Sequence, residues 1–129
     1  LFMDLNGMKQ INDELGHEAG DRALDDMASA MKQTFRQEDV LGRLGGDEFV
    51  AILRGVAEPS GRALAGRLEA ALEATNAAAG RPLPLTASIG MAIRLAGETT
   101  SLQTLLSAAD ARMYEVKRER KSGTHLSRA

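Results

Sequence analysis

Residues 40–53 read Val40-Leu41-Gly42-Arg43-Leu44-Gly45-Gly46-Asp47-Glu48-Phe49-Val50-Ala51-Ile52-Leu53. Two apolar-rich runs, 40–44 and 49–53, flank adjacent glycines, which is the pattern of a β-hairpin. Glycine accepts the positive φ that a tight hairpin turn demands, so Gly45 and Gly46 are expected to supply it. A turn needed only for folding would be served by Asn-Gly or Gly-Asn. This one carries two consecutive acids, Asp47 and Glu48, whose repulsion is unfavourable unless a cation lies between them. Bare glycines also let a bulky anion approach the backbone. The bland alternative is a solvated hairpin tip, an ordinary place for acids. The spacing points instead to a metal-and-phosphate site on a hairpin turn.

A second acid-bearing segment opens the chain. Leu1-Phe2-Met3 is a short apolar run ending in Asp4, followed by Asn6, Lys9, Asn12, Asp13, His17 and Asp21. A carboxylate at the end of a buried strand commonly faces a crevice, and a lysine soon after it meets phosphate as a point charge. Asn12 and Asp21 offer the acceptors and donors that read a polar ring edge; both also suit helix caps, with Asp21 in a first turn. Mg²⁺ prefers one or two carboxylates plus phosphate oxygens. Asp4, Asp47 and Glu48 would provide that set.

Between these motifs the periodicities place the elements. Leu24, Met27, Met31 and Phe35 predict an amphipathic helix from Asp21 to about Arg36. Leu64, Leu68, Ala71 and Leu72, after Pro59-Ser60, predict a second helix that fades near residues 76–80. Leu85, Ala87, Ile89, Met91 and Ile93 alternate as in a half-buried strand. Leu102, Leu105, Leu106, Ala109, Met113 and Val116 mark a last long helix, with a short strand expected around residues 125–127. Helices mixed with hairpin strands predict an α+β sandwich, helices packed on a central antiparallel or mixed sheet. The first strand and the hairpin would be neighbours, bringing Asp4 beside Asp47 and Glu48.

At this point the chain resembles the GGDEF domain of the diguanylate cyclase family, along nearly its whole length. Phe2-x-Asp4-x-Asn6-x-x-Lys9-x-Ile11-Asn12-Asp13-x-x-Gly16-His17-x-x-Gly20-Asp21 is similar to the family's first block, and Arg43-x-Gly45-Gly46-Asp47-Glu48-Phe49 to its signature. Ser88-Ile89-Gly90-Met91-Ala92 resembles its late strand, and Ala109-Asp110-x-x-Met113-Tyr114-x-x-Lys117 its last helix. The resemblance implies a ferredoxin-like, palm-like fold of the nucleotidyl cyclase kind. It implies condensation of two GTP into cyclic di-GMP and two pyrophosphates, with Mg²⁺ or Mn²⁺ and product feedback inhibition, by a homodimer.

The resemblance also distributes roles. Asp47 becomes the base for the attacking 3′-hydroxyl and a metal ligand, with Asp4, the Leu5 carbonyl and Glu48 completing the metal set. Gly45, Gly46, Lys9, Asn12, His17, Asp21, Lys117 and Lys121 become substrate contacts, Asn12 and Asp21 on the guanine edge and the two late lysines on terminal phosphates. His17 reads equally as structural packing. The run Lys117-Arg118-Glu119-Arg120-Lys121 reads equally as a solvated helix end. Lys121 stands where the family has arginine, which lysine's point charge does not reproduce as a fork. Arg36-Gln37-Glu38-Asp39, a surface pair in itself, resembles the family's inhibitory product site through Arg36 and Asp39, with Arg67 joining from the next helix. Met8 and Asn6 depart from a usual phenylalanine and a frequent aspartate, and neither change is expected to remove activity.

Composition narrows the classes. The 129 residues suffice for one domain with a real core. A formal charge of −2 supplies no general basic field for nucleic acid. No apolar stretch approaches a membrane span, so no membrane contact by this fragment is expected. Cysteine is absent, which removes disulfides and thiolate metal sites. A cytoplasmic setting is expected, as a free protein or as the output domain of a membrane-bound one. Family members usually carry a helix before the first strand, so residues 1–129 are expected to be one GGDEF domain truncated at its N-terminus, its upstream sensory or dimerising region absent. A catalytically silent GGDEF domain that binds GTP or cyclic di-GMP is the second functional reading. A structural adaptor without nucleotide chemistry is the third.

Overall fold

The computed structural model describes the backbone of residues 1–128 and the side chains of residues 1–120. Four strands and four helices follow in the order β1 (Phe2–Asn6), α1 (Met8–Leu15), α2 (His17–Thr34), β2 (Val40–Arg43), β3 (Glu48–Ile52), α3 (Glu58–Ala79), β4 (Thr86–Gly90) and α4 (Leu102–Arg128). The sheet order is β2-β3-β1-β4 and every pairing is antiparallel, so the mixed alternative falls away. This is the split β-α-β-β-α-β arrangement of ferredoxin-like folds, with a helix pair in the first crossover and α4 added at the end.

Register sorts the side chains into two layers, because directly opposed residues share a face. Met3 faces Phe49 and Ile89. With Leu5, Ile11, Met27, Leu68 and Leu85, Met3 and Phe49 belong to the main core beneath α1, α2 and α3. Phe2 faces Val50 and Gly90 on the other side. There it meets Ala109 and Met113 of α4 in a small second cluster. A Cβ on Gly90 would lie 2.2 Å from both the Ala109 carbonyl oxygen and the Met113 nitrogen. The absence of a side chain at Gly90 therefore lets the backbone of α4 seat directly on β4.

Several sequence expectations are corrected. Asp4 lies inside β1, not at its end, since Leu5 and Asn6 continue the ladder to Ala87 and Thr86. The helix expected from Asp21 begins at His17 and ends at Thr34, which moves Asp21 out of the first turn. Gly16 (φ 90°) separates it from α1, a helix hidden in the sequence among polar residues; only Met8 and Ile11 of α1 are buried. The strand expected to reach Ile93 stops at Gly90, where the backbone of α4 packs against it. Residues 125–127 continue α4 in place of a short strand, because the Lys/Arg/Glu run before them favours helix and no proline interrupts it.

Candidate active site

The hairpin brings the signature to β1. Glu48 pairs with Asp4, and the Leu5 amide donates to the Asp47 carbonyl at 2.9 Å. Neither Gly45 nor Gly46 has positive φ, contrary to expectation. The connection between β2 and β3 runs over four residues, 44–47, so the strict dihedrals of a two-residue turn do not apply. Arg43 holds this loop instead. Its Nε donates to the carbonyls of Gly45 (3.0 Å) and Gly46 (3.2 Å), and its terminal nitrogen to Gly46 again (2.8 Å). The guanidinium fork ties down both carbonyls of the glycine pair. Sequence reading assigned Arg43 no role; its only signal was an arginine two residues before the glycine pair.

Asp4 is the buried centre of the site, 8 % exposed. One of its oxygens, Oδ2, accepts from Lys117 Nζ at 2.6 Å. The other, Oδ1, is buried with no hydrogen-bond partner among the described residues. Asp47 stands nearby, half-buried and not fully exposed as a turn tip would be. Its carboxyl is held above its ordinary range, chiefly by burial and then by the charge of Asp4 and a side-chain contact with it, while Lys117 pulls the other way. An orphaned buried carboxylate oxygen beside a second, disfavoured carboxylate is a local demand for positive charge. No group of three or more metal-binding side chains gathers among the described residues. Asp4, Asp47 and Glu48 therefore do not converge as a three-acid set. Glu48 turns back over the hairpin, its Oε2 3.7 Å from where a Cβ of Gly45 would stand.

In front of the acids opens a cavity of about 790 Å³ whose lining includes Leu5, Gly7, Lys9, Asp47, Lys117 and Arg120. Gly7 (φ 80°) is the N-cap of α1 and gives no side-chain cap to it, and no acid occupies the first turn. Gly7, Met8 and Lys9 of that uncapped turn line the cavity together with Lys117 and Arg120, a setting for anionic oxygens. Met8, in place of the family's usual phenylalanine, is 8 % exposed at the cavity wall. Asn6 is fully employed: its Nδ2 donates to Thr86 Oγ1 (3.2 Å) and its Oδ1 accepts from Ser88 Oγ (3.1 Å). An aspartate there would lose the donor half of this clamp.

The other expected contacts are placed as follows. Lys9 is exposed on α1 at the cavity. Asn12 is half-buried one turn on, its Oδ1 packed against Gly20. His17 and Asp21 are exposed, one turn apart at the start of α2. The three last-named do not line this cavity; Asp13 and Glu14, given no role from sequence, do. The Lys121 side chain lies outside the described residues, while Arg120 beside it lines the cavity. Arg36 and Asp39 sit away from the acids, in the turn that enters β2. There the Arg36 amide donates to Asp39 Oδ2 at 2.8 Å, and the guanidinium lies 3.7 Å from Glu38. Arg67 is exposed on α3.

Comparison with known proteins agrees with this architecture. Residues 1–123 match the family model described as the diguanylate cyclase, GGDEF domain. A bifunctional diguanylate cyclase/cyclic di-GMP phosphodiesterase, MucR, of Pseudomonas aeruginosa is 34 % identical over 123 residues, 95 % of this chain and 18 % of that protein. Diguanylate cyclase A of Treponema denticola is 30 % identical over 129 residues, 99 % of this chain and 34 % of that protein. The chain thus spans between about a fifth and about a third of the length of these relatives. Among solved structures, the GGDEF domain of YfiN (TpbB) from P. aeruginosa superposes with a TM-score of 0.77 at 34 % identity, over 92 % of this chain and 74 % of that one. The GGDEF domain of DgcB from Caulobacter crescentus, in complex with c-di-GMP, gives 0.72 at 28 % identity, over 92 % and 70 %. The sheet that seats an intact Gly45-Gly46-Asp47-Glu48-Phe49 hairpin against Asp4, and the match over residues 1–123, lead to one assignment: the chain belongs to the GGDEF, diguanylate cyclase family.

Proposed function

We propose that this domain is a Mg²⁺- or Mn²⁺-dependent diguanylate cyclase that condenses two GTP into cyclic di-GMP and two pyrophosphates. The observation that carries the reading is the Asp4–Asp47 pair, with Asp4 Oδ1 orphaned and Asp47 lining a cavity shared with Lys9, Lys117, Arg120 and the uncapped start of α1. Asp4, Asp47 and the Leu5 carbonyl would hold the divalent ion, with Glu48 close by; when bound, the ion lowers the pKa of the ribose hydroxyl and neutralises phosphate charge. Lys9, Lys117, Arg120 and the α1 amides hold the β- and γ-phosphates; Lys121 would add to them. Asn12 and Asp21 take the guanine edge, and His17 borders the nucleotide.

Asp47 accepts the proton of the attacking 3′-hydroxyl. The 3′-oxygen bonds to the α-phosphorus of the second GTP, the α–β bridging bond breaks, and pyrophosphate leaves. A second such transfer closes the ring. Positioning and charge neutralisation dominate this chemistry. One site cannot hold both halves of a two-fold product, so two domains meet as a homodimer, each presenting one GTP. Arg36, Asp39 and Arg67, set apart from the acids, form the inhibitory product site. GTP supply places the reaction in the cytoplasm.

Incubation with GTP and Mg²⁺ across a range of protein concentrations tests the reading. Cyclic di-GMP should appear, with specific activity rising as the domain pairs. GTP binding without product at any concentration would establish the silent, regulatory reading in its place.

A further inference from the structure

Lys117 does not wait in the cavity for a phosphate. Its Nζ lies 2.6 Å from Asp4 Oδ2, and the two side chains are 28 % and 11 % exposed. The placement follows from register. Phe2 and Asp4 are two residues apart on one face of β1, about 6.6 Å along the strand. Met113 and Lys117 are four residues apart on one face of α4, about 6 Å along the helix. Phe2 meets Met113 in the second cluster, and Gly90 fixes the helix at that level. Lys117 is thereby delivered onto Asp4. A carboxylate this buried must be compensated, and the described residues offer it one ammonium.

We infer that Lys117 is a place-holder cation: it neutralises Asp4 until a divalent ion arrives, and is then released to the phosphates. This rests on the proposed metal site, with Asp4 as its ligand. The ammonium and the ion compete for the same carboxylate, since a doubly charged ion on Asp4 removes the attraction that holds Lys117 and repels it. The flexible four-carbon stem lets the ammonium swing away from Asp4 without movement of α4. The cavity that Lys117 already lines receives it. Binding of the ion and of the triphosphate is then mutually reinforcing, because the ion frees Lys117 for the phosphates and the phosphates draw Lys117 off Asp4. One lysine serves both states in turn.

The test uses Mn²⁺ alone, without nucleotide, on the parent, Lys117→Met, Asp4→Asn and the double variant. Mn²⁺ binding is read by the electron paramagnetic resonance signal of the free ion, and Tm is measured in EDTA and in Mn²⁺. Lys117→Met should bind Mn²⁺ about tenfold more tightly than the parent. In EDTA it should melt about 10 °C lower, its buried carboxylate unpaired, and Mn²⁺ should restore most of that loss. Asp4→Asn should abolish binding, and the double variant should recover Tm in EDTA without regaining Mn²⁺. Unchanged Mn²⁺ affinity in Lys117→Met, with binding lost in Asp4→Asn, would overturn the place-holder and leave the metal site standing. Undiminished binding in Asp4→Asn would overturn the metal site itself. A double variant as unstable as Lys117→Met would show that Lys117 acts through packing alone, which also overturns the inference.

Discussion

At the scale of single residues, the site is made of groups that are individually unfavourable. Asp47 is the clearest case, because its folded-state pKa lies above the ordinary 3.8 through burial and the neighbouring Asp4. Such a carboxyl holds its proton more tightly folded than unfolded. Stability therefore falls as pH rises through the interval between the two values, and the penalty stays constant above it. Asparagine removes the penalty. Without divalent ions, Asp47→Asn should be at least as stable as the parent at neutral pH, and the difference should close below pH 3.8. The same variant should lose product formation by at least about 10²-fold, the usual contribution of a general base. Thermal melts against pH beside a cyclisation assay check both halves. A parent more stable than Asp47→Asn at neutral pH would contradict the electrostatic account. The Asp4–Asp47 juxtaposition was legible in sequence because both acids border apolar runs that must pair. The hold of Arg43 on two carbonyls was not, since no periodicity or charge pattern reports a side chain bonding its own turn.

At the scale of elements, legibility tracked the size of the buried face. α2 and α3 carry apolar residues at regular three- and four-residue steps over 18 and 22 residues, and their cores lie where the spacing put them. α1 has eight residues and buries only Met8 and Ile11, too few to mark a period, so its polar residues read as a loop of ligands. β4 was legible from the alternation of Leu85, Ala87 and Ile89, but not its burial on both faces, where Ala87 and Ser88 are alike inaccessible. The contact of β4 with α4 yields a sharp expectation. Gly90→Ala places a methyl 2.2 Å from backbone atoms of Ala109 and Met113, neither of which can rotate away. α4 must lift, so the variant should lose about 3 kcal/mol or more in urea unfolding. A loss under about 1 kcal/mol would mean that the helix slides freely on the strand.

At the scale of the whole molecule, the site draws on three distant parts of the chain. β1 and α1 supply one wall, the β2–β3 hairpin the second, and α4 the third. The main core binds the first two walls through α2 and α3, while Asn76 and the Arg81–Asp26 ion pair close the far end of that layer. No helix is long and apolar enough to cross a membrane among the described residues. α4 stands outside this arrangement, its fully buried apolar anchors among the described side chains being Ala109 and Met113 against Phe2. A layer with so few anchors opens at a lower free energy than the sheet beneath it. Native-state hydrogen exchange should find the amides of residues 102–120 exchanging through a sub-global opening, well ahead of those of β1 and α2. Exchange of α4 as slow as that of β1 would deny it. Such an opening carries Lys117 and Arg120 away while Asp4 and Asp47 stay in register, so the domain can be folded and yet unable to grip a triphosphate. Mild denaturant should then silence the site before it melts the sheet.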